Sequence, residues 1–397
     1  FPISFKISAE EYVDSGLTTK ESIEILKILV KAGIDIVQVS AGNDVTAEWI
    51  CQPMFMKKGC LVNSAKQVKK ALDIPVMAVG RINEPHIANE IIEKKKADLV
   101  CIGRGLLADP EMPKKAMEGR LDEIRTCIAC NTCMESIFRK GRIECLVNPM
   151  LGREKEMAWI PARKPKRVMV VGGGPGGLNV AWVAARRGHK VDVFEKRSAL
   201  GGQLLSGSVP GHKKELLSLI RFQKKQIEKF DVRCHLNHEV KTKDIQALNP
   251  DVVVLATGSL PAIPPVDGID SNIALTYEDV LSANPPPFKK AVIIGGGATG
   301  LEMALHLAEY GCRVSVVEML AKIGSGLESM TKKILLGRLK EYNIKIMTET
   351  KLIRVASAGA VVARNDGSEL SIEAERVIFA TGTRPCNHLY EKVKSLG

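Results

Sequence analysis

Residues 126–149 read TCIACNTCMESIFRKGRIECLVNP, and the spacing of their four cysteines decides how the rest of the chain is read. Cys127, Cys130 and Cys133 form a C-x2-C-x2-C run, and Cys145 follows after eleven residues. Three thiolates packed that closely, with a fourth returning from a short loop, suit the corners of a cubane 4Fe-4S cluster. Zinc is the plainer alternative. Structural zinc sites usually pair two separate knuckles, however, and here one knuckle is overfull while the other is a lone Cys145. Everything before this stretch reads as one kind of domain and everything after it as another.

The 397 residues leave room for two or three domains, and 45% apolar content is ordinary for globular cores. No run of eighteen apolar residues occurs, so no membrane span is expected. The start, FPISFKISAEEY, lacks the basic and long apolar regions of a signal peptide. Of the ten cysteines, four belong to the motif, and Cys101, Cys234 and Cys312 lie in or beside strand-like runs. That usage fits a reducing cytoplasm rather than a disulfide framework. The net charge of +12 is scattered over Lys57-Lys58, Lys94 to Lys96 and Arg163 to Arg167, and aromatics are only 4% of the chain. Solvated helix faces and attraction for anionic cofactors account for it without nucleic acid.

The first 125 residues alternate strand and helix patterns. Strands are expected at Ile3–Ser8, Ile34–Val39, Ile74–Val79 and Leu99–Ile102. A Thr18-x-x-Glu21 capping box opens a helix through Ala32, and further helices are expected at Asn63–Leu72, Glu84–Lys96 and Asp109–Gly119. Four βα units suit either an open parallel sheet or half of an eight-stranded barrel. Gly80-Arg81 and Gly103-Arg104 at two consecutive strand ends favour the barrel, whose phosphate site uses a glycine turn and a cation there.

After a Pro- and Lys-rich linker, Ala162 to Lys166, the strand Arg167–Val171 runs into Gly172, Gly174 and Gly177 as G-x-G-x-x-G and then a helix. The next strand, Lys190–Phe194, ends at Glu195, eighteen residues beyond the last glycine. Such glycines let backbone approach a pyrophosphate at the helix N-terminus, and the carboxylate accepts from a ribose. The unit recurs as Ala291–Ile294, Gly295, Gly297, Gly300, a helix to Tyr310, the strand Arg313–Val317 and Glu318. Two copies indicate two dinucleotide sites. Glu318 suits a ribose with both hydroxyls and repels a 2′-phosphate, so NADH is expected over NADPH. No C-x-x-C accompanies either copy, so disulfide reduction is not expected; Cys234, Cys312 and Cys386 are isolated.

FKISAEEYVDSGLT, PVMAVGRI, ADLVCIGRGLLADP and TCIACNTC…CLVNP, in that order, resemble the iron–sulfur flavin oxidoreductases of the old yellow enzyme group. That group includes 2,4-dienoyl-CoA reductase, clostridial enoate reductase, trimethylamine dehydrogenase and the bile-acid-modifying flavin reductases. The resemblance covers the whole chain and implies an α/β fold in five parts. Residues 1–125 are the second half of an FMN-binding TIM (β/α)8 barrel, and 126–165 the cluster segment and linker. Residues 166–287 begin an FAD domain, 288–375 are a nested NAD(P)H domain, and 376–397 return to the FAD domain. On this resemblance the chain is a fragment lacking the first barrel half and the extreme C-terminus.

The resemblance also implies the sites. Lys6, Gly80, Arg81, Gly103 and Arg104 would hold FMN, with Lys6 standing where the family more often has Arg. Gly172, Gly174, Gly177, Glu195, Lys196, Gly202, Gln203, Leu204, Thr257 and Gly258 would hold FAD. Gly295, Gly297, Gly300, Glu318 and Gly382 would hold NADH, and Cys127, Cys130, Cys133 and Cys145 the cluster. Electrons would pass from NADH to FAD, to the cluster, to FMN, and then to an activated C=C bond of an enoate, enoyl or dienoyl thioester or unsaturated steroid.

No proton donor can be named: Ser40 to Ile50 holds no His, and Trp49, Met54 and Phe55 suit a substrate pocket or barrel-rim packing equally. Two other readings stand beside this one: an electron-input subunit like the small subunit of glutamate synthase, and a truncated homologue that binds cofactors without turnover. A homo-oligomer is compatible with all three.

Overall fold

The computed structural model describes residues 1–282 and 286–394. Residues 283–285 and 395–397, which fall in the expected FAD and return segments, lie outside the described residues. The chain divides into two compact units, Phe1–Ala158 with Glu328–Thr331, and Trp159–Leu327 with Lys332–Gly397.

In the first unit β1 (Ser4–Ser8), β2 (Ile36–Ser40), β3 (Val76–Ala78) and β4 (Leu99–Val100) form a parallel sheet in that order. Alternation places Ile7, Val37, Val39, Val76 and Ala78 on one face, where they pack with Leu26, Val62, Ala65, Val68 and Ile91. The other face carries the row Lys6, Gln38, Met77 and Leu99, paired in register. The first helix, Thr19–Lys31, begins as its sequence requires. Thr18 accepts from Glu21 N–H, and the Glu21 side chain accepts from Thr18 N–H at 2.9 Å. Such a cap stabilises a helix by about 1 kcal/mol. The βα units place the ends of β3 and β4, with Gly80-Arg81 and Gly103-Arg104, side by side.

In the second unit β5 (Arg167–Val171), β6 (Lys190–Phe194), β7 (Arg233–His235) and β8 (Val252–Leu255) make a parallel sheet ordered β7-β6-β5-β8. β9 (Ser259–Pro261) leads out of it. A second parallel sheet contains β10 (Ala274–Thr276), β11 (Lys290–Ile294), β12 (Arg313–Val317) and β13 (Lys345–Met347). β14 (Thr350–Ala356), β15 (Gly359–Arg364) and β16 (Glu369–Glu373) form an antiparallel sheet that the sequence reading did not anticipate. β17 (Arg376–Phe379) then completes the second sheet as β10-β17-β11-β12-β13, and β18 (Thr383–Pro385) pairs with β9.

Two expected boundaries therefore move. Residues 274–276, placed in the first domain, and 376–379, placed in the return, are both strands of the second sheet. Val377, Ile378 and Phe379 are apolar and at most 2% exposed, buried in this sheet between β10 and β11. The return is made by β18 on β9.

Candidate cofactor and metal sites

The two glycine fingerprints are the same object built twice. A Cβ on Gly172 would stand 2.2 Å from Ala256 O, and one on Gly295 would stand 2.4 Å from Ala380 O. Both residues have φ near +110°, so only glycine fits the turn out of the strand. A Cβ on Gly177 would meet Gly172 O at 1.9 Å, and one on Gly300 would meet Gly295 O at the same distance. These two let the helix lie against the turn. Gly174 and Gly297 differ: each is the N-cap of a twelve-residue helix, Pro175–Arg186 or Ala298–Glu309, with no side-chain cap. A Cβ there would find nothing nearer than 3.8 Å. Pro175 has no N–H and Ala298 N–H donates to Ser325 O at 3.1 Å, so it is the N–H groups of the following residues in each first turn that an anion would meet.

The carboxylates close each copy. Glu195, 7% exposed, accepts from Gly173 N–H at 2.7 Å and Arg197 N–H at 2.8 Å. Glu318, 9% exposed, accepts from Gly296 N–H at 2.6 Å and Leu320 N–H at 2.8 Å. Two acceptor positions remain on each for hydroxyl donors. Lys196 is exposed beside Glu195.

Around the first copy, Gly202 crosses so close that its Cβ would stand 2.8 Å from Gly174 Cα. Gln203 and Leu204 begin the helix Gln203–Gly207, and the Gln203 amide donates to Ser259 O at 3.1 Å and Glu278 at 3.0 Å. The Thr257 hydroxyl donates to Cys386 O at 2.8 Å, and Gly258 follows at φ +72°. Gly382 lies beyond β17, where its carbonyl accepts from Ala262 N–H at 2.9 Å.

In the first unit a cavity of about 200 Å³ is lined by Gly80, Arg81, Asn83, Cys101, Gly103, Arg104 and Cys127 among others. The two glycines are there for different reasons. A Cβ on Gly80 would strike Leu61 at 2.7 Å, whereas one on Gly103 would meet nothing within 4 Å. Gly103 is the open wall that a phosphate can approach. Arg81, held at φ +52°, turns its guanidinium to the carbonyls of Met54 and Met56. Arg104 donates to Gln52 O at 2.8 Å and to the Asn131 side-chain oxygen. Lys6 is not among the cavity-lining residues; it is exposed in the row with Gln38. At the carboxyl ends of β1 and β2, Tyr12 and Trp49 stack with centroids 3.6 Å apart.

The cysteine loop adjoins this cavity. Burial chiefly, with Cys51 at Cys133 and neighbouring Cys130 and Cys145 at both adding to it, pushes the thiols of Cys127 and Cys133 up to about 11. Burial raises Cys145 as well, with Cys130 adding to it. Arg104 opposes the rise at Cys127 and Cys133. Buried thiols with a guanidinium beside them fit a group that takes them as thiolates. Among the described residues no three His, Cys, Asp or Glu side chains converge as a single metal ion requires. Ala129 and Asn131 both have φ near +50°, which coils the loop, and the helix Thr132–Lys140 follows. Ser136 accepts from Glu144 N–H at 2.9 Å and so brings Cys145 back toward Cys133. All ten cysteines are free.

Asn131, Gln52 and Asn83 were missed by the sequence reading. The only signal for the first was its position between two motif cysteines. No helix among the described residues is long and apolar enough to cross a membrane.

Known proteins share this organisation. The pyridine nucleotide-disulphide oxidoreductase family matches residues 166–396, and the NADH:flavin oxidoreductase / NADH oxidase family matches residues 1–123. An NADH oxidase of Thermoanaerobacter brockii is 37% identical over 99% of this chain and 61% of its own length. A cinnamate reductase of Clostridium sporogenes is 34% identical over 97% of this chain and 58% of its own. The solved structure of a 2-naphthoyl-CoA reductase with 2-naphthoyl-CoA superposes with a TM-score of 0.94 at 31% identity, covering 99% of this chain and 60% of that one. The chain thus spans about three fifths of the length of these relatives. With a flavin oxidoreductase segment leading into flavin- and NADH-binding domains, the chain belongs to the old yellow enzyme / enoate reductase family of flavoproteins.

Proposed function

We propose that this chain belongs to an NADH-dependent ene-reductase that sends electrons through FAD and a 4Fe-4S cluster to FMN and on to the activated C=C bond of a small unsaturated molecule. The observation that carries the reading is the contact between the cysteine loop and the Gly103-Arg104 cavity, in a chain that also holds two complete dinucleotide fingerprints. A flavin accepts a hydride's electron pair and releases single electrons, which is the conversion a nicotinamide and an iron–sulfur cluster require between them.

The chain's own residues supply the rest. Gly297 and the helix it opens hold the NADH pyrophosphate, and Glu318 accepts from both ribose hydroxyls. Gly174, Gly202 and Glu195 do the same for FAD, with Gln203 fixed by Ser259 and Glu278. Arg104 and the open wall at Gly103 bind the FMN phosphate, and Arg81 supports that wall through the backbone of Met54 and Met56. Cys127, Cys130, Cys133 and Cys145 ligate the cluster. Lys6, exposed on β1 in the row with Gln38, would lend positive charge to the flavin ring. The stacked Tyr12 and Trp49 present a flat wall for a planar conjugated substrate. Cinnamate and naphthoyl-CoA reductases among the relatives support an aryl or thioester-conjugated alkene. The domains follow: a barrel segment to residue 125, the cluster segment to 165, then the FAD domain with the NADH domain nested in it.

The test is a cofactor count on the full-length protein, with FAD, FMN and iron expected at about 1:1:4. Cys130→Ser should abolish reduction of FMN by NADH while FAD reduction survives. FMN reduced at the original rate in that variant would end the proposal.

A further inference from the structure

Cys127 and Ala129 of the cysteine loop line the cavity directly, and Asn131 ties the loop to Arg104, another of its lining residues. Asn131 occupies the N-cap position of the helix Thr132–Lys140, where an Asn side chain ordinarily accepts from the first turn, yet it makes no cap bond. Its side chain is turned the other way and is held at both ends. The oxygen accepts from Arg104 Nη1, and the nitrogen donates to Cys51 O at 2.7 Å. The residue is 1% exposed and left-handed, at φ +55°. That backbone lies between Cys130 and Cys133, so any group that takes both thiolates fixes it.

Arg104 is held from its other side by Gln52 O at 2.8 Å, and Gln52 is itself 2% exposed. Its Nη2 lies 3.5 Å from Gln52 Oε1, a weak contact that leaves donors for a ligand in the cavity it lines. A second tie runs parallel to the first. Asn83, 4% exposed and also lining the cavity, donates to Cys127 O at 2.5 Å, while its Oδ1 is buried with no hydrogen-bond partner.

We infer that Asn131 is a positioning residue that couples the two sites: the cysteine loop, once wrapped on its cluster, presents Arg104 to the flavin phosphate, so that each group's binding strengthens the other's. The inference rests on the assignment of the cavity to the FMN phosphate and of the loop to the cluster. Linkage makes the coupling reciprocal. Losing one charge-assisted hydrogen bond to the guanidinium's position corresponds to roughly a tenfold change in affinity.

The test measures FMN dissociation constants of the full-length protein, with its iron and after the iron is removed by chelation. The wild type and Asn131→Gly are compared, because glycine keeps the left-handed backbone and removes only the amide. Iron removal should weaken FMN about tenfold in the wild type. Asn131→Gly should keep its iron, start from the weaker FMN affinity, and change little when iron is removed. Equal iron sensitivity in the two proteins overturns the inference while leaving the proposed cofactors standing. A wild type that binds no FMN, or holds no iron, overturns both. Should Asn131→Gly lose its iron, Asn83→Ala cuts the parallel tie, to Cys127 O, without changing any residue of the cysteine loop. A reduced coupling factor there supports the inference, and an unreduced one overturns it.

Discussion

Replacing Gly297 by Ala is expected to strip NADH from the protein while sparing its fold, and the geometry gives the scale. Gly297 has φ −74° and ψ −173°, extended backbone that alanine adopts freely, and the nearest atom to its new Cβ is Ser325 O at 3.8 Å. Stability should therefore change by no more than about 0.5 kcal/mol. The methyl group stands where a pyrophosphate must approach the first-turn N–H groups that follow Ala298, whose own N–H donates to Ser325 O. Losing one such charge-assisted bond costs about 2 kcal/mol, a roughly thirtyfold loss of NADH affinity. Gly300→Ala, three residues on, is the contrasting case. Its Cβ would stand 1.9 Å from Gly295 O, so the helix must retreat by more than an ångström, at about 1–3 kcal/mol of stability. NADH affinity by fluorescence titration, melting temperature by calorimetry and retained flavin by absorbance separate the two. The reasoning fails if Gly297→Ala binds NADH like the wild type, or if it melts as early as Gly300→Ala.

Glu318→Ala should lower the preference for NADH over NADPH about tenfold, since the carboxylate both accepts from a ribose hydroxyl and repels a 2′-phosphate; an unchanged ratio of kcat/KM values would reject the assignment. Asp109 is buried, pairs with Lys115 at 2.6 Å and accepts from Arg125 N–H at 2.8 Å, so Asp109→Ala leaves a buried ammonium with only the longer Glu111 contact at 4.0 Å and should cost about 3 kcal/mol by urea denaturation. A loss below about 1 kcal/mol would mean that Lys115 escapes to water. Burial drives His212 down to about 3, with Lys213, Arg338 and His306 adding to it. The unfolded chain takes up that proton near its ordinary value of 6.5 while the folded chain does not, so stability falls with pH below 6.5 until the folded state protonates too. Between pH 7 and 5 the loss is about 2 kcal/mol, and His212→Gln should narrow its stability gap to the wild type by that amount. An unchanged gap would show that His212 protonates in place.

The parts legible in the sequence are those whose cause is local. Strands β6 and β12 fall at Lys190–Phe194 and Arg313–Val317 as their apolar runs require, and Thr18 caps its helix through Glu21. Within each glycine fingerprint several contacts join partners that belong to one motif. Gly177 meets Gly172, and Glu195 meets Gly173, all within one βαβ unit. Their repetition at Gly300, Gly295, Glu318 and Gly296, with distances matching to about 0.1 Å, shows how completely that local pattern dictates geometry. The placement of β17 was not legible, because its neighbour β11 lies some eighty residues earlier and a buried strand reads alike in either sheet.

The cavity shows where such reading runs out. Gly80 and Gly103 carry the same signal, a glycine before an arginine at a parallel strand's end. A side chain at Gly80 would strike Leu61, nineteen residues upstream, whereas one at Gly103 would enter open space. A side chain is excluded at the first by packing and by positive φ, and by no neighbour at the second. The same holds for the arginines. Arg81 is turned to the backbone of Met54 and Met56, and Arg104 is held by Gln52 and Asn131, partners that no spacing rule connects. What distinguishes a binding residue from a packing one is what stands opposite it. A motif reports that only when the motif itself contains both parties, as the Gly177–Gly172 and Gly300–Gly295 contacts do and the Gly-Arg pairs do not.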